Sequence, residues 1–458
     1  MTKTNDTTKP HSHVAKSRSS WSSRIRNFLV YLVPVVLLIL ISLAEDQAPS
    51  PENSQEAGFL SILSSDFWYE HAVGSPGETA TKVAVITVGR DMPKAVGENI
   101  SDSVDVSCKR RVYLAKLLNV LSKMQPKVVV LDMWIDPASC SDSAATDALL
   151  NQVDDLSRQI PVVFGLGAYN PSEILSSWPA EFVAIRNRKP QFKKTELVLI
   201  PAVHPARPGN TKVAEGMVEL NSDNRKIPLS WPVYDGFEKV GVAGQPERRD
   251  SISVATARFF DPDSAVLQKL GAIGPDGSPL SSIKAHPYTS FLHEDQLPVI
   301  RAIDVICSTP TDSFWGKSCR TMQTAHIDLS SLRGKATVIG QAGLGGDVHP
   351  SLIGTVPGVI LQANYIESLL TGRVFSPVPT RVQIVMGAIW LLFIVWVSWR
   401  FESSPGLALA FSVLAAIIPA YLMHLFILHF GYYTQLLLPL IIAALVVNIS
   451  RQIERMIA

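Results

Sequence analysis

The sequence predicts an α/β exported domain with a mainly parallel sheet flanked by helices, joined to four α-helical transmembrane spans. Three observations carry that reading: four long apolar runs, an alternation of β-rich and helix-periodic segments between the first run and the second, and four cysteines confined to that same interval.

Phe28–Ala44 is apolar apart from Ser42, and residues 378–399, 407–430 and 435–449 repeat the pattern. Each lies near the roughly 17–25 residues that cross a bilayer as a helix. Lys3, Lys9, Lys16, Arg18, Arg24 and Arg26 precede the first run against Asp6 alone, which places residues 1–27 in the cytoplasm as a basic N-terminus. Arg400 and the tail 450–458, with Arg451 and Arg455, are then cytoplasmic as well, and the segment between the first and second runs faces outward. A signal peptide cut after Ser42-Leu43-Ala44 is the competing reading of the first run, and it leaves the middle segment equally exported.

Residues 45–82 are rich in Pro, Ser and Gly, broken by Phe59-Leu-Ser-Ile-Leu and Phe67-Trp-Tyr, and read as a linker with a membrane-proximal anchor. The α/β domain is expected over 83–376 and a three-helix bundle over 378–449. Val83–Gly89 is a β-rich run. Arg110–Lys123 carries Val112, Leu114, Leu117, Leu118 and Leu121 on one side, Lys127–Trp134 is a buried strand, a helix passes through Asp147, and Pro161–Gly165 is the next strand. This order requires right-handed crossovers and a parallel sheet. From Tyr169 to Ser330 the periodicity fades, and an irregular insertion with some antiparallel strands is expected. Gly334–Gly340 is again a strand, followed by a glycine-rich loop and a helix over Pro357–Leu370 that Gly372 ends.

The charge balance of 41 basic against 40 acidic residues offers no surface for nucleic acid. Cys108, Cys140, Cys307 and Cys319 read as two disulfides of an oxidising compartment. A helix from Arg110 and a returning strand of equal span bring Cys140 back towards Cys108, leaving Cys307 and Cys319 to close a short loop.

Lys127-Val-Val-Val-Leu-Asp132-Met-Trp-Ile, Asp223-Asn-Arg225-Lys-Ile-Pro228-Leu, Arg333-Gly-Lys-Ala-Thr-Val-Ile-Gly340 and Pro357-Gly-Val-Ile-Leu-Gln-Ala-Asn364-Tyr-Ile-Glu together resemble the second CHASE family. The resemblance implies an extracellular sensory domain of a bacterial membrane receptor with one leading and three trailing spans, usually followed by a cytoplasmic output domain, so the expected location is a bacterial inner membrane with the large domain in the periplasm. This chain departs from the family after its first strand, where Gly89-Arg90-Asp91 replaces a pair of acids. It departs again before the first helix, where Val106-Ser-Cys108-Lys-Arg replaces a Trp-Pro element. With Ala458 close behind the fourth run, the signal is expected to pass to a separate membrane or cytoplasmic protein, and homo-oligomerisation is compatible with the same topology.

In an open α/β sheet, ligands gather beyond the carboxyl ends of the strands. Those ends carry Arg90 and Asp91, Asp132 and Asp136, Gly165 and Gly167, and the loop with Gly343, Gly345, Gly346, Asp347 and His349. Such a rim suits a polar small molecule or a divalent cation, although glycines and aspartates are also ordinary turn formers that satisfy loop N–H groups. No cofactor is expected. Neither a Gly-x-Ser-x-Gly elbow, a His-Glu-x-x-His helix nor a paired-cysteine zinc pattern occurs, which argues against an enzyme. His424 is an ionisable residue inside an apolar run, whose readings are helix packing or, less simply, ion passage. The expected function is a membrane-anchored periplasmic sensory subunit. The alternatives are a structural or scaffold subunit of an envelope complex and, on the trailing runs, a channel component.

Overall fold

The computed structural model describes residues 81–89, 103–136, 139–170, 197–200, 210–220, 224–235, 246–272, 287–292, 296–308, 319, 329–342, 347–351, 354–400 and 429–433. The chain divides into two units, one spanning 49–378 with 422–435 and the other containing 379–421 with both chain ends.

The first unit is built on a six-stranded sheet in which every pairing is parallel. Its strands are β1 (Val83–Val88), β2 (Val128–Asp132), β3 (Val162–Leu166), β6 (Val213–Met217), β10 (Val299–Arg301) and β11 (Ala336–Gln341), in the spatial order β10-β1-β11-β2-β3-β6. β11 comes last in sequence yet sits between β1 and β2, pairing Val85 with Val338 on one side and Val338 with Val130 on the other. Both faces of this sheet are covered, which is why its central strands read as continuous apolar runs.

Alternation sorts the side chains. Val83, Val85, Val128, Val130, Ala336 and Val338 point to one face, where they meet α3 (Ile252–Phe260), α4 (Ala265–Leu270) and α6 (Gly358–Thr371). Ala84, Ile86, Val129, Leu131 and Ile339 point to the other, against α1 (Ser103–Met124), α2 (Ser143–Ser157) and α5 (Ala302–Cys307). Leu131 is fully buried, so truncating it to alanine costs about 2–5 kcal/mol.

Helix starts follow the sequence chemistry. Asp142 caps α2 by accepting the Ala144 N–H at 2.9 Å, and Ser251 caps α3 through the Val254 N–H at 3.2 Å. Pro357 is the N-cap of α6, and Gly372 ends that helix at φ +75°, a left-handed conformation that suits glycine.

The polar residues of α6 are fastening points. Asn364 is fully buried, accepts the Leu292 N–H at 2.6 Å and donates to the Ile360 carbonyl. Ser368 lies 2.7 Å from the Thr289 hydroxyl and accepts the Ser290 N–H at 3.0 Å. Glu367 accepts the N–H groups of Lys82 and Val83 at 2.8 and 2.9 Å. The same carboxyl is pushed above its ordinary value by burial, against the pull of those two donors. The helix thereby ties the start of β1 to the segment 287–292.

Both disulfides form as expected, Cys108–Cys140 and Cys307–Cys319. Two expectations need correction. The segment 169–330 supplies both edge strands of the parallel sheet, β6 and β10, in addition to a mixed sheet of β4 (Ala168–Tyr169), β5 (Leu197–Leu199), β7 (Ser230–Tyr234) and β8 (Glu247–Asp250). Val112, expected on the buried side of α1 with the leucines, is instead exposed. The stretch after Gly372 is itself a strand. It forms β14 (Val374–Pro377), paired antiparallel with β9 (Tyr288–Thr289) and parallel with β15 (Tyr432–Tyr433). Proline at the end of a short strand leaves the ladder intact.

In the second unit the described element is α7 (Thr380–Arg400), a helix of 21 residues on which the second apolar run falls. Val382, Val385, Ile389, Leu392 and Trp396 are exposed along it. Among the residues whose side chains are described, no helix is long and apolar enough to cross a membrane. The first and fourth expected spans, and 407–428 of the third, lie outside the described residues.

Candidate functional site

Asp132 is the last residue of β2, placed at the carboxyl end of the sheet by the strand that buries Val128 to Leu131. Beside it, β11 ends at Gln341, and the segment that follows β6 carries Val218 and Leu220. The first turns of α6 and the N-terminal half of α1 complete the enclosure. Together they line a cavity of about 450 Å³, within the range of small-molecule sites. It occupies the position where an open parallel sheet offers a crevice.

Glycine makes the close approach possible. A Cβ on Gly340 would lie 2.5 Å from Val359 of α6 and 3.3 Å from the Asp132 carboxylate, so this position lets helix and carboxylate close on β11. At the start of α6, the Gly358 N–H donates to the Asp347 carbonyl at 2.8 Å, and a Cβ on Gly358 would strike the Asp347 carboxylate. The helix N-terminus favours that negative charge.

Two arginines of α1 face this region with different roles. Arg111 is 2% exposed, and both terminal nitrogens of its guanidinium are engaged: they donate to Thr146 Oγ1, the Asp136 carbonyl and Ser139 Oγ, pinning α1 to α2 and to the loop after β2, while its Nε is buried without a partner. Cys108–Cys140 clamps the same junction. Arg110 lines the cavity and makes no hydrogen bond or ion pair among the described residues, and its Nε is buried without a partner. Burial lowers its affinity for the proton.

Asp132 likewise accepts no hydrogen bond among the described residues, and it keeps partial access through the cavity. Burial, followed by repulsion from Asp347 and Glu219, pushes its carboxyl up to about 8. Glu219 sits between the lining residues Val218 and Leu220. Its Oε1 accepts the Ala168 N–H while Oε2 is buried without a partner, and burial lifts this carboxyl to about 8 as well.

Of the residues expected from sequence, Asp132, Asp136 and Asp347 come together on the cavity wall. His349 lies in the hairpin of β12 (Val348–Ser351) and β13 (Gly354–Pro357), where its Nε2 meets Asp347 Oδ1. Gly165 and Gly167 serve packing, against the Met133 carbonyl and the Trp134 ring respectively. Arg90, Asp91, Gly343, Gly345, Gly346 and His424 lie outside the described residues. Among the described residues, no group of three or more His, Cys, Asp or Glu is placed to hold a metal ion.

Arg110, Arg111, Glu219 and Gln341 were not singled out by sequence reasoning. The signal for the arginines is a doublet that directly precedes the apolar face of a helix and lies close to Cys108, which is paired with the loop after β2. Glu219 follows a strand in a stretch without clear periodicity, and nothing in its neighbourhood marks it.

The fold is an α/β domain with a parallel sheet and a cavity of mixed polar and apolar lining at the carboxyl ends of its strands. The chain matches the model of the CHASE2 domain over residues 76–398, more than half its length, and belongs to that family. CHASE2 domains are sensory, and this chain therefore has a sensory, signal-transducing role. Neither a curated protein nor a solved structure matches it.

Proposed function

We propose that the chain is a membrane-anchored periplasmic sensor that relays occupancy of its cavity, through its trailing apolar runs, to a separate membrane or cytoplasmic partner. The observation that carries this reading is the path of α6. Its first turn lines the cavity at Gly358 and Val359, and its last residue is followed within three positions by β14, which leads into α7. A shift at the N-terminal end of one rigid helix is delivered to the strand that enters the second apolar run.

Two further features support the placement. Disulfides persist in oxidising compartments, and both of them lie in the segment expected outside the cytoplasm. The exposed apolar residues of α7 recur at alternating intervals of three and four, the pattern of one helix face that needs lipid or other helices to cover it. Binding acts on the relay by favouring one arrangement of the bundle over another.

The test uses the full-length protein, tagged and extracted from its own membranes in mild detergent. A stoichiometric partner whose retention changes when Ser376→Pro removes the backbone donor of β14 supports the relay. Retention of the partner, together with α7 cross-linking between copies, that stays unchanged under every alteration of the α/β domain would overturn it in favour of a structural subunit.

A further inference from the structure

Asp132 and Arg110 are the two ionisable side chains of the cavity that the fold leaves without hydrogen-bond partners among the described residues. They come from different elements, the end of β2 and the second turn of the described part of α1, and they form no ion pair with each other. Buried or half-buried charged groups are ordinarily paired, because an unpaired one loses its hydration without compensation. The usual structural explanations are absent for both. Arg111, next in sequence, already fastens the helix, and the backbone around Asp132 is held by its strand pairs. A cavity of about 450 Å³ between them exceeds what one or two waters fill.

The surroundings give the two groups opposite polarity. On the β2 side, Asp132 is accompanied by Asp347 at the start of α6, so that end of the cavity favours a cation or a strong donor. On the α1 side, Arg110 offers a planar guanidinium with its donors unspent, suited to a carboxylate. We infer that the cavity binds a small zwitterion of amino-acid or short-peptide size, its carboxylate on Arg110 and its ammonium group on Asp132 and Asp347. Such a molecule supplies both missing partners at once and adds no net charge to the site. A simple anion would leave Asp132 unpaired, and a simple cation would leave Arg110 unpaired. The inference rests on the sensory reading only in making the bound zwitterion the signal.

The experiment is titration calorimetry on the full-length protein in nanodiscs, with alanine, glutamine and alanyl-alanine as probes. N-acetylated forms lack the ammonium group and C-amidated forms lack the carboxylate. At least one probe is expected to bind about tenfold or more tightly than either of its blocked forms. Arg110→Gln is expected to erase the discrimination against the amide while keeping that against the acetylated form, and Asp132→Asn to do the reverse. Circular dichroism confirms that each variant is folded, and Arg110→Lys, which restores charge without the fork, is expected to recover part of the carboxylate preference. Failure of all three probes to bind the folded wild-type protein, equal binding of blocked and free forms, or unselective loss in both folded variants would overturn the site. A change in α7 cross-linking under some other stimulus, with no probe bound, would remove the zwitterion and leave the sensory reading standing. Selective binding with an unresponsive α7 would do the opposite.

Discussion

The Ser376 N–H donates to the Gly431 carbonyl at 2.9 Å, joining the strand that leaves the α/β domain to a segment 55 residues later in the chain. The pairing of Ser376 with Tyr432 and of Pro377 with Tyr433 extends that contact. A hydrogen-bonded ladder cannot be divided by a bilayer, so residues 374–377 and 432–433 share one side of any membrane the chain crosses. An even number of crossings must then separate them, which agrees with two spans over 378–430. Arg373→Cys and His429→Cys, introduced singly, are expected to react alike with a membrane-impermeant maleimide added outside intact spheroplasts. The four native cysteines are paired and do not compete. Labelling of one site without the other would break the topology.

Glu367 is the most exacting of the α6 residues, because its Oε2 accepts two backbone N–H groups at once. Glu367→Ala leaves the donors of Lys82 and Val83 without partners where the chain enters β1. Buried donors stripped of their acceptor cost about 1–3 kcal/mol each, so a loss of roughly 2–5 kcal/mol is expected in chemical denaturation of the full-length protein. Glu367→Gln retains an acceptor oxygen and should lose about half as much. Equal stability of the alanine variant and the wild type would show that the tie is idle.

The parallel sheet was legible because its strands are buried on both faces, and runs such as Val128–Leu131 and Val83–Ile86 have no polar positions to blur. The disulfide pairing was legible from the lengths of one helix and one strand. What escaped was everything fixed by long-range pairing. β10 is three residues long and β6 contains a glutamate and a glycine, so neither announces itself as an edge of the main sheet. β14 contains Ser376 and ends in Pro377, and it exists because β9 pairs with it across separations of 85 and 87 residues and β15 across 56. The candidate site was half legible. Aspartates at strand ends can be placed by the strand alone, whereas Arg110 reaches the cavity only because α1 crosses above the end of β2.

Cys108–Cys140 closes a loop of separation 32, against 12 for Cys307–Cys319. On chain entropy alone the longer loop contributes about 4 kcal/mol and the shorter about 3 kcal/mol. The two bridges should differ more in binding than in stability, since only the first lies beside Arg110, Arg111 and Ser139 at the cavity wall. Removing Cys108 and Cys140 together as alanines is expected to weaken probe binding, and removing Cys307 and Cys319 to leave it near the wild-type value. Calorimetry and denaturant melts on the two double variants check both halves.

Asp132 and Glu219 make stability fall as pH rises. Each carboxyl keeps its proton up to about 8 in the folded protein, whereas the unfolded chain releases it near the ordinary values of 3.8 and 4.5. Between those limits the folded state binds more protons, so their contribution is complete below about pH 4 and is lost on passing through 8. The charges facing Asp132 are Asp347 and Glu219, with Arg110, Arg111 and Asp136 across the cavity. For Asp132 the span is on the order of a few kcal/mol, reduced by its partial solvent access. The melting temperature of the wild type is expected to decline from pH 5 to pH 8, and Asp132→Asn and Glu219→Gln each to flatten that decline. An unchanged slope in both variants would show that neither carboxyl titrates with folding.

The same proton opposes a bound ammonium group, which needs Asp132 ionised. Below pH 8 each zwitterion that binds must displace the proton, so affinity should rise by up to about tenfold per pH unit from pH 6 towards 8. Beyond that point Asp132 is already ionised and the gain ends. Calorimetry in buffers of different ionisation enthalpy would register the proton released at pH 6.5. In Asp132→Asn both the released proton and the rise with pH should vanish, while the preference for a free carboxylate at Arg110 persists. A pH-independent affinity in the wild-type protein would place the ammonium group away from Asp132.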